Sequence, residues 1–199
     1  MASSLILPIL PPHGAVSRRG LLKGTGTATL SAVAVSLLAG CDSMAASKQM
    51  AANPGSDVDI LNSALGLEYQ AIAAYQVGAE SGLLQKPVLD TAVKFQGDHK
   101  QHAQVLSSTI TKLGGTPVMA KKPADYNFPV NTLKSQADVL RFAAELEKGA
   151  ASAYLGAVPA FSNRDLAKAA ASILGDETMH WAVLRNALGE NPVPVAFIS

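Results

Sequence analysis

The sequence predicts an all-α fold: a four-helix bundle made of two matching helix hairpins joined by a long crossover. Three observations carry this expectation. Hydrophobic residues make up 48% of the chain against 5% aromatic and 16% charged, with alanine abundant and β-branched runs short. That composition favours helix over sheet and supplies a core that can be buried. From residue 57 onward, four segments repeat apolar residues at helical spacing. Two of the three connections between them are short and one is long, which fixes how the helices run.

The first segment runs from about Asp57 to Ser81, entered through Pro54, Gly55 and Ser56, with Ser56 or Asp57 as its cap. The second begins near Pro87, acceptable at a first helical position, and stops at Gly114, Gly115, Thr116 and Pro117. The third starts at Ser135, whose spacing to Asp138 is that of a capping box, and ends by Pro159. The fourth runs from Asn163 to about Leu188 and stops at Gly189 and Pro192. Connections of about five residues make each consecutive pair an antiparallel hairpin. The stretch from Gly114 to Lys134 is different. A helix of about 27 residues is about 40 Å long, and twenty extended residues reach at most about 70 Å. The crossover can therefore run the length of the bundle and set helices 2 and 3 parallel.

Four regions follow: an N-terminal segment 1–40, a small-residue polar tether 41–56, the bundle 57–190 and an apolar tail 191–199. The first region holds Arg18, Arg19 and Lys23 with no acid, then an apolar run from Gly24 to Gly40. That run is too short and too diluted by Gly, Thr and Ser to span a bilayer comfortably. It resembles a bacterial twin-arginine export signal. Its end, Leu38-Ala39-Gly40-Cys41, resembles a lipoprotein lipobox. By that resemblance the mature chain starts at Cys41, lipidated on sulfur and held in a membrane by two or more acyl chains. A soluble product cut after Ala46, or a cytosolic chain with a basic tail, are the alternatives. Cys41 is the only cysteine, so no disulfide forms within the chain. Without the first forty residues, thirteen basic side chains face fifteen acidic ones, and nothing suggests a nucleic-acid partner.

The core seams are read by stepping three and four residues alternately. Helix 1 gives Leu61, Ala64, Glu68, Ala71 and Tyr75; helix 3 gives Leu140, Ala143, Glu147, Ala150 and Tyr154. Helix 2 gives Ala92, Phe95, His99, His102 and Leu106; helix 4 gives Ala170, Ile173, Glu177, His180 and Leu184. The hairpins superpose, and Gly97-Asp98 recurs as Gly175-Asp176, the pattern of an internal duplication.

Positions that should be apolar hold Glu68, His99, His102, Glu147, Glu177 and His180. Carboxylates are expensive to bury singly, yet all four helices place polar groups at matching heights. A divalent cation among them relieves that expense directly. Residues three apart share a helix face, so His99/His102 and Glu177/His180 each present two donors to one region. Beyond His13 in the N-terminal segment, the only histidines are these three.

A glutamate from each of two helices, facing a Glu-x-x-His from each of the others, is a di-metal arrangement of ferritin-like bundles. Residues 57–188 resemble the exported, single-domain ferritin-like proteins of bacteria. The resemblance implies that Glu68 and Glu147 are terminal ligands, His102 and His180 imidazole ligands, and Glu177 a bridging carboxylate. It further implies that Asp98 and Asp176 each orient the opposite histidine, and that Tyr75 and Tyr154 support the ligands. His99 departs from the pattern, which has Glu there. Three carboxylates leave two divalent ions with a net charge of about +1, and a histidine bound through a single nitrogen serves one metal only. The site is expected to hold one or two ions, iron foremost, with manganese or zinc as alternatives.

The function this implies is oxygen, peroxide or ferrous-iron chemistry in the cell envelope, as a ferroxidase- or peroxidase-like oxidoreductase. Ferrous iron or a small oxidant would be its substrate, a membrane its anchorage, and a homodimer its candidate assembly. A lipid on every subunit argues against a hollow storage cage. The alternative is a non-catalytic anchored stress-protection or binding module, in which Glu68–His102 and Glu147–His180 survive as buried ion pairs.

Overall fold

The computed structural model describes residues 54–199. The signal-like segment, Cys41 and the tether as far as residue 53 lie outside the described residues. Within them the protein is all-helical, with four long helices: α1 Pro54–Glu80, α2 Lys86–Lys112, α3 Gln136–Ala157 and α4 Arg164–Ala187. None of these is long and apolar enough to cross a membrane.

The helix ends follow local chemistry. α2 opens with Pro87 in its first turn, where a missing N–H leaves no carbonyl unpaired. Ser135 caps α3 by accepting from the Asp138 N–H, while the Asp138 carboxylate accepts from the Lys134 N–H and the Ser135 hydroxyl. The side chain of Asn163 caps α4 by accepting from the N–H groups of Asp165 and Leu166. Gly114 and Gly189 close α2 and α4 at φ values of 81° and 73°, in the left-handed region that favours glycine. In both places the next N–H reaches back to a carbonyl of the last turn, Gly115 to Ile110 and Glu190 to Arg185.

The start of α1 differs from the sequence expectation. The helix begins at Pro54, inside the stretch read as tether, and Asp57 is not its cap. Asp57 is instead 2% exposed, and its carboxylate accepts from the N–H groups of Ser162 and Asn163 in the α3–α4 connection. A contact across more than a hundred residues leaves no local trace in the sequence.

Pairings between helices fix the topology. Glu68 meets Tyr154 and Tyr75 meets Glu147, so α1 and α3 run antiparallel. Asp98 meets His180 and His102 meets Asp176, so α2 and α4 also run antiparallel. With two antiparallel hairpins, α2 and α3 are parallel, as the crossover length predicts. The crossover carries two 3-10 turns, Pro123–Tyr126 and Val130–Thr132. Asn62 of α1 ties it down at its start, donating to the Thr116 carbonyl and accepting from the Val118 N–H. Further on, Phe128 lies between Tyr126 and Phe142, and the Lys121 ammonium sits over the Tyr126 ring.

Two apolar clusters fill the bundle. One holds Leu61, Leu65, Leu106, Ile110, Tyr154 and Ile173. The other holds Tyr75, Phe95, Leu140, Trp181 and Leu184, with Ile198 of the tail packed against it. The Ser152 hydroxyl donates to the Ser199 carbonyl, so the tail folds back onto the bundle although Phe197 stays exposed. Between the two clusters lies the polar layer.

Candidate metal centre

Each seam position read as polar lies inside the bundle. Glu68, His99, Glu147, Glu177 and His180 are at most 3% exposed, and His102 is largely covered at 16%. The 3.6-residue repeat turns Glu68, Glu147, Glu177 and His99 to the axis, and the three-residue step brings His102 and His180 alongside.

The donors form two groups of four. Glu68, His99, His102 and Glu177 make the first; His99, Glu147, Glu177 and His180 make the second. His99 and Glu177 belong to both. In the first group Glu68 Oε2 lies 2.9 Å from His99 Nδ1 and 3.5 Å from His102 Nδ1. Glu177 Oε1 lies 3.6 Å from His99 Nδ1 and 3.3 Å from His102 Nδ1. In the second, Glu147 Oε1 is 3.3 Å from both His99 Nε2 and His180 Nδ1. Metal–ligand bonds of 2.0–2.1 Å in a tetrahedral site imply donor–donor separations of about 3.3 Å.

A second observation fits a cation. His102 Nδ1, His180 Nδ1, Glu147 Oε2 and both oxygens of Glu177 are buried without any hydrogen bond. Their neighbours are close, but the groups converge on shared points rather than aiming donor at acceptor. Orphaned buried polar atoms are costly and scarce in native proteins, and five in one layer are what a metal-ligand set looks like without its ion. The donor chemistry, carboxylate with imidazole, suits iron, manganese or zinc.

Around this set stand the supporting residues. His180 Nε2 lies 3.4 Å from Asp98, and His102 Nε2 lies 3.3 Å from Asp176, each acid on the opposite helix. An imidazole whose Nε2 proton is held by a carboxylate keeps Nδ1 free as a donor to metal. Asp176 also approaches His180 at 3.5 Å. Asp98 is held below the usual carboxylate range: the Lys94 ammonium and His180 outweigh its burial. Lys94, four residues before Asp98, is a supporting residue that the seam reading missed; their i,i+4 spacing was the available signal. Tyr154 donates to Glu68 Oε1 at 2.5 Å, and Tyr75 donates to Glu147 Oε1. Phe95, read as packing, stacks on His180 with centroids 3.9 Å apart.

Without metal, protons neutralise the layer. Burial alone would strip His99 of its proton, but the Glu147 and Glu68 carboxylates push it up to about 11. His102 is likewise pushed up to about 9 by Glu177 and Glu68 against its burial. Burial raises Glu177 to about 8, with the Glu147 charge helping and His102 opposing. Glu68 and Glu147 go the other way; the imidazoles beside them overcome burial and hold both carboxyls below their ordinary range. Burial, and then the charges of Glu147 and Glu68, push the hydroxyls of Tyr75 and Tyr154 far up, so both remain donors.

Two hollows border the layer and its supporting residues. A groove between α2 and α4, lined by Val105, Ile173, Met179, Asp176 and His102, opens to water. An apolar cavity of about 210 Å³ is bounded by Leu84, Val88, Leu140, Phe142 and Leu184 together with Tyr75.

Fold and site together define a helical bundle with a carboxylate–histidine layer able to hold metal. Residues 56–190 match the ferritin-like domain family, and the chain belongs to that family. No curated protein matches the chain. Among solved structures it is similar to a conserved hypothetical protein from Mycobacterium tuberculosis, at 24% identity and a TM-score of 0.62, covering 73% of this chain and 99% of that one. A ferritin-like, diiron-carboxylate protein from Bacillus anthracis aligns at 23% identity and a TM-score of 0.59, covering 70% and 99%. A dodecameric thioferritin, a bacterioferritin-related protein from Bacteroides fragilis, aligns at 25% identity and a TM-score of 0.57, covering 69% and 87%.

Proposed function

We propose that this protein is an envelope-anchored metal protein, binding iron and using it to oxidise ferrous iron or to handle oxygen or peroxide. The observation that carries the metal reading is the set of five buried donor atoms without hydrogen bonds, converging in two groups at the heart of a ferritin-like bundle. The diiron-carboxylate description of the Bacillus anthracis structure supports iron as the metal. Export and anchoring are supported by Arg18-Arg19 ahead of an apolar run that ends at Leu38-Ala39-Gly40-Cys41. A Cys41→Ser change is expected to move the protein from membrane to soluble fractions. Recovery of wild type in the cytosol would remove the envelope from the proposal.

Bound iron would supply redox chemistry and an open position for a small oxidant. Glu68, Glu147, Glu177, His102 and His180 would hold it. The chain's own contribution is positioning. Asp98 and Asp176 fix the His180 and His102 rings with Nδ1 inward, and Tyr154 and Tyr75 each hold one oxygen of a terminal carboxylate. The apolar clusters above and below exclude bulk water. The cavity that includes Tyr75 in its lining is apolar, and apolar cavities admit small apolar molecules, a class that includes dioxygen. Asp176 and His102 line the open groove between α2 and α4, the side from which a cation would approach.

Metal analysis of folded, cytosol-expressed protein tests the reading. Wild type should carry metal, and His102→Ala combined with His180→Ala should lose nearly all of it. Metal-free wild type, or equal content in the double variant, would end the proposal. The second reading, a non-catalytic anchored module, draws support from the ion pairs themselves. The Glu68–His102 and Glu147–His180 side chains approach to 3.5 and 3.3 Å, within reach of a direct ion pair.

A further inference from the structure

His99 is where the seam departs from the ferritin-like pattern, and its ring is set between the two donor groups rather than within one. Nδ1 faces Glu68 and Glu177, at 2.9 and 3.6 Å. Nε2 faces Glu147 at 3.3 Å on the far side. The two nitrogens of one imidazole point in different directions, and each is aimed at a different donor group. The sequence expectation, a histidine serving one metal through one nitrogen, overlooks this placement. Resting on the metal-binding reading above, we propose that His99 bridges two metal ions, one on each ring nitrogen.

Three features carry it. The first is membership: His99 and Glu177 are the only residues shared by both four-donor groups, so these two side chains are the ones placed to span them. The second is charge. Glu68, Glu147 and Glu177 supply three negative charges when ionised. A His99 that yields both N–H protons to water as two nitrogen–metal bonds form supplies the fourth. Two divalent ions are then balanced, which three carboxylates and a neutral imidazole cannot achieve. The third is constraint. His99 is 1% exposed, with the Tyr75 ring 5.4 Å away on one side and the His102 and His180 rings at 6.0 and 5.4 Å. The contacts of Nδ1 with Glu68 and of Nε2 with Glu147 hold the ring in the orientation that turns one nitrogen to each group.

The test uses Co²⁺ alone, added to the metal-free full-length protein, with His99→Glu and His99→Ala for comparison. Wild type is expected to bind two ions per chain. X-ray absorption should show imidazole scattering at both and no Co–Co vector at the ~3.5–4 Å of directly bridged two-metal sites. His99→Glu should still bind two ions and bring them to that shorter distance. His99→Ala should weaken the second ion by more than about 100-fold, beyond the 10–100-fold usual for losing a supporting partner. One ion in wild type, with a second gained only in His99→Glu, would overturn the bridge and leave the metal reading intact. So would a short Co–Co vector in wild type. No ion in wild type would overturn both.

Discussion

Tyr75 and Tyr154 are related by the internal repeat, and each spends its hydroxyl on the glutamate of the other hairpin. A hydrogen bond to a charged acceptor contributes about 1.5–3 kcal/mol, and here each also sets the angle of a carboxylate. Tyr75→Phe and Tyr154→Phe should therefore each lower metal-free stability by about that amount in a denaturant titration. Both should weaken metal binding, because the freed carboxylate can rotate. Unchanged stability and unchanged metal affinity in both variants would show the hydroxyls to be bystanders. The seam glutamates were legible in the sequence because a seven-residue step from Glu68 to Tyr75 and from Glu147 to Tyr154 survives the duplication. The two-sided placement of His99 was not legible. Periodicity says that a residue points inward, whereas the direction of each ring nitrogen depends on side chains from three other helices.

At the scale of elements, the helices themselves were readable nearly end to end. Caps at Ser135 and Asn163, Pro87 at a helix start, and glycines at 114 and 189 are local signals, and each acts locally. What the sequence hid is how the elements are held together. Asp57 looked like a helix cap and is instead the anchor of the α3–α4 connection, sealed from solvent with two N–H donors. Removing it leaves those two part-buried donors without their acceptor. Asp57→Ala should cost about 2–3 kcal/mol and lower the midpoint of thermal unfolding by several degrees. Asp57→Asn, which keeps one acceptor, should recover part of that. A melting curve unchanged by Asp57→Ala would mean that α1 does not brace the second hairpin.

For the whole molecule, the proton-neutralised polar layer makes metal-free stability and metal affinity respond to pH in opposite directions. His102 sits at about 9 in the folded chain against an ordinary 6.5. Its stabilising charge is fully present below pH 6.5 and is lost as pH rises through 9. Glu177, raised from 4.5 to about 8, disfavours folding increasingly as pH rises between those values. Glu68 and Glu147, held below their ordinary range, contribute stability above about 4.5 that is lost in acid. Metal-free protein should thus be most stable between about pH 4.5 and 6.5 and weaken steadily toward pH 9. Metal must displace the protons on these same groups. Its added stabilisation should grow over the range in which the free protein declines. Competition from protons therefore sets in well above pH 6, the onset expected for free imidazoles, because the neighbouring carboxylates have moved His99 and His102 upward. Thermal melts with and without metal from pH 5 to 9 check both trends. Parallel curves across that range would mean the ion binds elsewhere.

The central claim is that the carboxylate–histidine layer exists to hold metal, and location tests it more directly than content does. Crystals of protein loaded with Fe²⁺ or Mn²⁺, measured at the metal's absorption edge, should give anomalous peaks among Glu68, His99, His102, Glu147, Glu177 and His180. Peaks only at surface carboxylates, with the six side chains paired to one another as they are without metal, would contradict it.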